Sequence, residues 1–494
     1  METVLPDKLL TLTKSIGYLL PELVLTVGIL LIIFTGLFKK HKHALTGYLA
    51  FMVLLACILQ SLVHAPSAES ISLLDGMIHV NHFSVAFKTL LDIASLLTVI
   101  MSLNHVGLKN NKFTTEYYTF LLSAVLGAHL LTSTTNMVMV FISLELLSIS
   151  SYVLAGYNQD KKGAEGSLKY FLFGSVASAV MLYGFSVLFG LSGTTDFSST
   201  AFVENLLRNS SPLILVGGLM ALVGFLYKVA ATPMHPWAPD VYEAAPMPVV
   251  AFLSVVPKLA GLAVLAKFTL AINLYGQSDF DWQLILSVVA MLSITIGNFS
   301  ALWQNNPKRM MAYSAIAQSG FLLIGIVCFT IEGSKFLLFY SGVYLLANFA
   351  IFYCLQLFEK NGIESIPAFS GWGKSQVMAS VLLLMAFISL AGIPPTGGFT
   401  AKLFIFTALW DAYEQTDKQI LIWLLVFGLA NTVVALYYYL KIPYYAFLKT
   451  PGTQTSKKAQ TENYFALILV VLILLLFIQP DILMGWLNRI NFVL

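Results

Sequence analysis

The sequence predicts an all-α polytopic membrane protein of about fourteen transmembrane helices, with two inverted five-helix repeats that each contain a broken helix. Three observations predict it. The 494 residues are 58% hydrophobic and only 10% charged, whereas soluble globular chains carry about a quarter charged residues. Apolar runs that reach the roughly 20 residues needed to cross a bilayer core as helix recur along the chain. Two of those runs are interrupted by prolines and glycines beside a lysine.

In order, the apolar windows centre on residues 17–38, 46–63, 83–104, 117–132, 136–157, 167–191, 212–235, 247–272, 283–303, 309–330, 335–358, 376–410, 420–442 and 463–480. The opening "METVLPDKLLTLTKS" lacks the short basic region of a signal peptide, and no small-residue cleavage site follows the first run, so that run is expected to stay. The seventh and twelfth windows carry the interruptions, five spans apart. That spacing divides the chain into a three-helix segment (1–110), a first repeat (111–275, spans 4–8), a second repeat (276–445, spans 9–13), and a loop with a last helix (446–494). An odd number of helices per repeat inverts successive repeats, and paired broken helices in inverted repeats are a transporter signature.

Basic residues orient the spans. With loops numbered alternately from outside, the inner ones hold fourteen: Lys39, Lys40, Lys42, Lys109, Lys112, Lys161, Lys162, Lys308, Arg309, Lys360, Lys374, Lys449, Lys457 and Lys458. The outer segments hold six: Lys8, Lys14, Arg208, Lys335, Lys418 and Arg489. The positive-inside rule therefore puts both termini outside. Net charge is only +3 with no basic stripe, so nucleic acid is not an expected partner. Cys57, Cys328 and Cys354 fall within apolar runs without CxxC spacing or clustered histidines. That pattern argues against a disulfide framework, a zinc site or an iron–sulfur cluster in this chain.

Seven lysines remain within spans, and position sorts them. A charge at mid-span costs about 2.5–3.5 kcal/mol on insertion scales, while a lysine near a helix end can snorkel to the interface. Lys88, Lys267 and Lys441 lie near span ends and are expected to snorkel; Asp92, one turn after Lys88, suggests a local i,i+4 pair. Lys169 sits near the start of its span. Lys228, Lys258 and Lys402 lie near mid-span, as does Glu145, the single carboxylate deep in the fifth. Buried pairs are poor stabilisers, so these four point to a proton or ion path. None of the mid-span cations is an arginine, which could not release its proton.

The two breaks fit that chemistry. In "LYKVAATPMHPWAPDVYEAAPMP" Pro233 closely follows Lys228, with His235 and Pro236 beyond. In "SLAGIPPTGGFTAKLF" Pro394 and Pro395 interrupt the helix before Lys402. Proline removes a backbone donor and clashes with the preceding turn, and freed carbonyls within a membrane need other partners, such as water in a protein-lined cavity. His235 could exchange protons, its ordinary pKa being near 6.5, or simply cap the interface.

Glu145 in "SLELLSIS", Lys228 in "LYKVAATPMHPWAPDVYEAAPMPV", Lys258 in "PKLAG", the stretch "QNNPKRMMAYSAIAQSG" and "SLAGIPPTGGFTAKLF" together resemble the antiporter-like membrane subunits of respiratory complex I. The string "HPWAPDVYEAAPMPV" resembles the N type of these more than the M or L types, and the likeness covers roughly residues 80–450. The resemblance implies a non-redox subunit that moves protons while other subunits pass electrons from NADH to quinone. NADH, FMN, iron–sulfur clusters and quinone would then belong to partner subunits, with no cofactor in this chain. The neighbours would be M-, K- and J-type membrane subunits and lipid, in a bacterial cytoplasmic membrane. Family roles fall on Glu145 and Lys228 as a coupled pair, on Lys258 as central relay and on Lys402 in the second half-channel, with Lys169 and His235 auxiliary. The chain departs from the pattern at Gln318, where many relatives carry histidine. Glutamine cannot titrate, which leaves Tyr313, Ser314 or water to serve there, and Tyr344 and Asn348 are the polar candidates of the eleventh span. Two rivals share the pattern: a subunit of a multisubunit cation/proton antiporter, and one of a membrane-bound hydrogenase-type complex.

Overall fold

The computed structural model describes residues 17–38, 43–63, 71–109, 112–209, 211–274, 280–450 and 463–489. Lys8, Lys14, Lys39, Lys40, Lys42, Lys457 and Lys458, used above to orient the chain, lie outside the described residues. Helices α1 (Leu20–Phe38) and α2 (His43–Val63) precede an antiparallel hairpin, β1 (Ile71–Leu73) and β2 (Ile78–Val80), in register Ile71 to Val80. Next come α3 (His82–Leu103), the single turn α4 (Val106–Lys109), α5 (Thr114–Thr132), α6 (Met137–Ala155) and α7 (Lys161–Ser192). They are followed by α8 (Thr200–Asn209), α9 (Leu213–Val229), α10 (Trp237–Ala244), α11 (Met247–Leu274), α12 (Trp282–Leu302), α13 (Pro307–Val327) and α14 (Ile331–Glu359). The chain continues through α15 (Trp372–Ser375), α16 (Val377–Ala391), α17 (Gly397–Thr416), α18 (Gln419–Leu448), α19 (Tyr464–Ile478) and α20 (Asp481–Asn488).

Every apolar window of the sequence overlaps a helix. Among the described residues ten helices are long and apolar enough to cross a membrane: α1, α2, α3, α6, α7, α11, α12, α13, α14 and α18. Of the other windows, α5 is more polar, with Glu116, Tyr117, Tyr118 and His129. The α9 and α16 helices are shortened by the breaks, and α19 meets α20 at a 71° bend. The hairpin and the short helices α8 and α10 add to the all-helical expectation. Leu74, Asp75 and Gly76 all take positive φ in the hairpin turn, which ends the extended run and lets β2 return.

Polar caps start the helices at the membrane faces. Asn81 and Ser84 form a capping box on α3. Asn136, Asp160, Asp281, Asn306 and Thr330 accept from the first free amides of α6, α7, α12, α13 and α14. Each cap satisfies donors that the helix itself cannot. The core is layered around α11, whose apolar stretch is wholly enclosed, with those of α13 and α14 nearly so; α1, α2 and α18 bury a third or less of theirs. Leu30, Phe34, Val176, Tyr183 and Val433 point outward from peripheral helices, the surface that hydrocarbon tails would cover.

Several helix crossings are close enough to need glycine, among them those of α5 with α6 and of α12 with α13. A methyl at Gly127 of α5 would stand 2.7 Å from Leu147 N and 2.9 Å from Ser143 O of α6. A methyl at Gly297 of α12 would stand 2.5 Å from Ala317 N and 2.8 Å from Tyr313 O of α13.

Candidate functional site

The first break follows Val229. Ala230 takes a left-handed φ of 55°, and residues 230–236 leave the helix, as the prolines predict. Lys228, in the last turn, is fully buried, and its Nζ donates to Ser148 Oγ at 2.9 Å. Ser148 lies three residues after Glu145 on α6, hence on the same face. Glu145 is half-buried, and its Oε1 is enclosed without a hydrogen-bond partner. The expected Glu145–Lys228 couple is therefore not a direct ion pair: the lysine is held by a serine that lies one turn along α6 from the carboxylate.

Lys258 is buried at the centre of α11. Its Nζ donates to Ala315 O (2.5 Å) and to Ser319 Oγ (2.9 Å). Ser319 Oγ also lies 2.6 Å from Val229 O and 2.9 Å from Ala315 O. A hydroxyl has one hydrogen to give, so Ser319 accepts from Lys258 while choosing between two carbonyls. Val229 O is a helix-end carbonyl freed by the first break, which needs such a donor. One turn along α11, Gly261 lies against the Lys228 side chain: a methyl there would stand 3.4 Å from Lys228 Cβ. The two lysines therefore sit either side of one close helix contact.

The second break repeats the logic. Helix α16 ends at Ala391, Gly392 turns with φ 81°, and α17 resumes at Gly397. The non-helical residues are 392–396, inside the predicted stretch. Lys402 is buried and donates from Nζ to Ala391 O at 3.0 Å, across the break, with its ammonium 4.3 Å from the centre of the Phe321 ring. The neighbouring carbonyl, Leu390 O, accepts from Gln318 Nε2 at 3.1 Å. Gln318 Nε2 also reaches Tyr439 OH at 3.1 Å, while its Oε1 accepts from Tyr340 OH at 2.6 Å. Tyr439 OH is 2.5 Å from Ser314 Oγ. At both breaks, freed carbonyls are met by polar side chains of α13 or by a lysine.

Helix α13 thus joins the parts. Ser314, Gln318, Ser319 and the Ala315 carbonyl make a polar strip along little more than one turn in the buried middle of α13, touching Lys258, the first break, the second break and Tyr439. Lys228, Lys258 and Lys402 are brought onto one enclosed polar line. Sequence reading missed Ser148, Ser319, Tyr340 and Tyr439, and counted Gln318 only as a loss. The signal was present as polar residues at i, i+4 and i+5 on α13. Tyr344 and Asn348 take lesser places: Tyr344 OH donates to Ser254 O (3.0 Å) beside Pro257, and Asn348 Nδ2 donates to Tyr344 O (2.8 Å).

The auxiliary residues stand apart from this line. Lys169 lies on a rim, 2.7 Å from Glu165 and 2.8 Å from Asp240; Arg309 there binds Asp240 at 2.7 Å and Glu243 at 3.1 Å. Burial works to raise the Asp240 carboxyl, but the hydrogen bonds and charges of Lys169 and Arg309 outweigh it and hold the group below the usual carboxylate range. His235 is half-buried at the end of the first break, its Nδ1 3.4 Å from Thr232 Oγ1.

Two of the three snorkelling expectations are corrected. Lys88 is 2% exposed and pairs with Glu22 of α1 at 2.6 Å, not with Asp92, which instead meets His129 Nε2 at 2.8 Å. Lys267 is 4% exposed and donates to Thr132 O at 2.6 Å. Snorkelling needs an open path along the helix surface, and the residues flanking both lysines are buried. Lys441 remains partly exposed, seven residues before the end of α18, donating to Leu302 O and Gln304 O at and just beyond the end of α12.

Known membrane proteins share this fold. The family model described as "NADH:quinone oxidoreductase/Mrp antiporter, TM" matches residues 134–433. "NADH-quinone oxidoreductase subunit N 2" of Chloroherpeton thalassium is 36% identical over 451 residues, 88% of this chain and 86% of that one. A chain of respiratory complex I from Thermus thermophilus superposes with a TM-score of 0.79 at 27% identity, covering 95% of this chain and 100% of that chain. A chain of the Mrp complex from Dietzia sp. superposes with a TM-score of 0.82 at 19% identity over 96% of each, a likeness of fold alone.

Proposed function

The chain belongs to the NADH:quinone oxidoreductase/Mrp antiporter family of membrane subunits, and on that premise we propose that it is the proton-translocating N-type subunit of an NADH-quinone oxidoreductase. The observation that carries the reading is the enclosed line of Lys228, Lys258 and Lys402, joined through α13 to the carbonyls of two helix breaks. Each lysine has a neutral hydrogen-bond partner and no ion pair within reach, among the described residues. A lysine so held can give up its proton without leaving a carboxylate stranded. Glu145 biases Lys228 through space, Ser319 turns its hydroxyl between Val229 O and Ala315 O, and Gln318 orients Tyr340 and Tyr439. In this reading Gln318 positions and does not titrate, while the two tyrosines and Ser314 supply the exchangeable hydroxyls. Lys169 and His235 act at the edges of the line.

The finer architecture of this proposal is fourteen spans, both termini outside, in a bacterial cytoplasmic membrane, with two inverted repeats. The equivalence of the crossings supports the repeats: Gly297, Tyr313 and Ala317 recur at the spacing of Gly127, Ser143 and Leu147. So does the paired placement of the breaks. Redox chemistry with NADH, FMN, iron–sulfur clusters and quinone belongs to partner subunits, and M-, K- and J-type subunits flank this one. The cation/proton antiporter reading rests on fold alone, whereas 36% identity across nearly the whole chain favours the oxidoreductase.

The test is purification of the intact complex through this chain, followed by reconstitution into vesicles. Flavin and iron–sulfur subunits are expected to co-purify, quinone reduction is expected to acidify one side, and Lys228→Met is expected to lower that acidification at least severalfold in assembled complex. Sodium–proton exchange without redox subunits would overturn the reading.

A further inference from the structure

A second group of buried charges lies outside the lysine line, beneath the β1–β2 hairpin. Glu22 comes from the start of α1, Lys88 and Asp92 from α3, and His129 from the last turn of α5. All four are nearly or fully enclosed, at 6%, 2%, 0% and 0% exposure. Lys88 Nζ stands 2.6 Å from Glu22 Oε1, which lies 3.6 Å from His129 Nδ1; the other ring nitrogen, Nε2, is 2.8 Å from Asp92 Oδ1. The imidazole thus has a hydrogen-bonded carboxylate at Nε2 and a second carboxylate close to Nδ1 but beyond hydrogen-bond reach, and Nδ1 has no hydrogen-bond partner. Asp92 Oδ2 is buried with no hydrogen bond.

Two further features separate this group from a plain structural ion pair. A cavity of about 20 Å³, large enough for one water, reaches Lys88 between Gly17, Tyr18, Pro21, Gln60, Ser61, Val80 and Val85. Lys88 is seven residues into α3, roughly 9 Å from the helix start at 1.5 Å per residue, so the cavity joins the hairpin face to the cluster. On the inner side, the α11 residue Lys267 donates to Thr132 O, and Thr132 Oγ1 donates to His129 O one turn away. Lys267 shares α11 with Lys258, nine residues or about 14 Å apart. Two further titratable groups face the cluster among the described residues: Cys57 of α2, its thiol donating to Pro21 O at 3.5 Å, and Tyr18, which lines the cavity beside Lys88.

We propose that Glu22, Lys88, His129 and Asp92 form a proton-holding site that exchanges with the hairpin face through the cavity at Lys88 and communicates with the lysine line through Lys267. It rests on the proton-translocating reading given above. With His129 doubly protonated the four groups sum to zero charge. Release of the Nδ1 proton, by way of Glu22 and a water beside Lys88, leaves the imidazole neutral and the cluster at −1, offset by the Lys267 ammonium. When Lys267 loses its own proton that offset vanishes, and the cluster takes a proton back. Charge on Lys267 and proton occupancy of His129 are therefore opposed, which couples the three-helix segment to the central lysines.

The experiment uses the assembled complex in vesicles, measuring protons translocated per electron. His129→Gln keeps volume and polarity but cannot carry a proton, and is expected to lower the ratio two- to fivefold. Glu22→Gln with Lys88→Met removes the ion pair without leaving a charge behind. If the cluster merely holds helices together, this double variant should pump normally, because neutral replacement of a buried pair is commonly tolerated; the proposal expects it to pump as poorly as His129→Gln. A normal ratio in either variant, or failure of both to assemble, overturns the site. Lys228→Met, run in parallel, separates the two claims: loss there with normal pumping in the cluster variants sinks only the cluster, while normal pumping by Lys228→Met sinks the functional reading beneath it.

Discussion

Ser319 illustrates how a single hydroxyl can matter more than the charges around it. It accepts from Lys258 and can donate to the carbonyl left free by the first break. Ser319→Ala keeps every charge yet removes that link and leaves Val229 O unmet, at about 1–3 kcal/mol for a buried unsatisfied acceptor. Assembled complex with a several-fold lower proton yield is the expected outcome, checked by acidification of vesicles at matched electron flux; a normal yield would show Ser319 to be packing only. Lys402→Arg makes the converse point. It keeps the positive charge but cannot release it at working pH, so pumping should fall by roughly an order of magnitude while the complex still assembles; full pumping would make Lys402 a fixed counter-charge. The mid-span lysines were legible in the sequence because depth alone marks them. Their partners were not, since Ser148, Ser319 and Tyr439 are ordinary residues made special by helices 61 to 125 positions away.

The broken helices show which elements a sequence can dictate. Proline and glycine state their effect locally, so both breaks fall where the sequence places them, at 230–236 and 392–396. What the local pattern does not state is why each glycine is required. Gly392 has φ 81°, and a methyl on it would stand 2.6 Å from Lys402 Cδ, so this glycine both turns the chain and makes room for the lysine. Gly398 is stricter: a methyl there would fall onto the Ser389 carbonyl oxygen of α16. The two halves of the broken span meet backbone to backbone, and that contact cannot give way by a rotamer change. Gly398→Ala should therefore separate α17 from α16 and deplete assembled complex more than tenfold on native gels. Gly190→Ala on α7, with open space around it, should leave assembly unchanged; equal loss in both would attribute the defect to something other than the crossing. The hairpin and the short helices escaped the sequence reading because three-residue strands and helices of eight to ten residues carry too little period to rise above their neighbours.

At the scale of the molecule, a fully enclosed helix changes what a charged residue means. Rules drawn from single spans assume that each helix meets lipid, and on that assumption Lys88 and Lys267 near helix ends should reach the interface. Here α11 is surrounded by protein and α3 mostly so, and both lysines turn inward to partners on other helices. Tertiary enclosure, invisible in a hydropathy window, is the reason the snorkelling expectation failed for these two. The opposite holds at the rim, where charge meets water. There Lys169 and Arg309 converge on Asp240 and tie α7, α10 and α13 together, while Trp237 of α10 stacks on Tyr170 of α7 with ring centres 4.2 Å apart. Since the folded protein holds the Asp240 carboxyl below its ordinary range, its contribution is complete above the unfolded-state value, about 3.9, and fades as pH drops toward the lower folded value. Asp240→Asn should accordingly melt at a lower temperature than the parent at neutral pH, with a gap that holds down to about pH 5 and closes below about pH 4. Tryptophan fluorescence reports the transition from the stacked ring beside the site. A gap independent of pH would mean that Asp240 acts by shape, and that the rim network adds hydrogen bonds but no net ionic hold on the helices that position the first break.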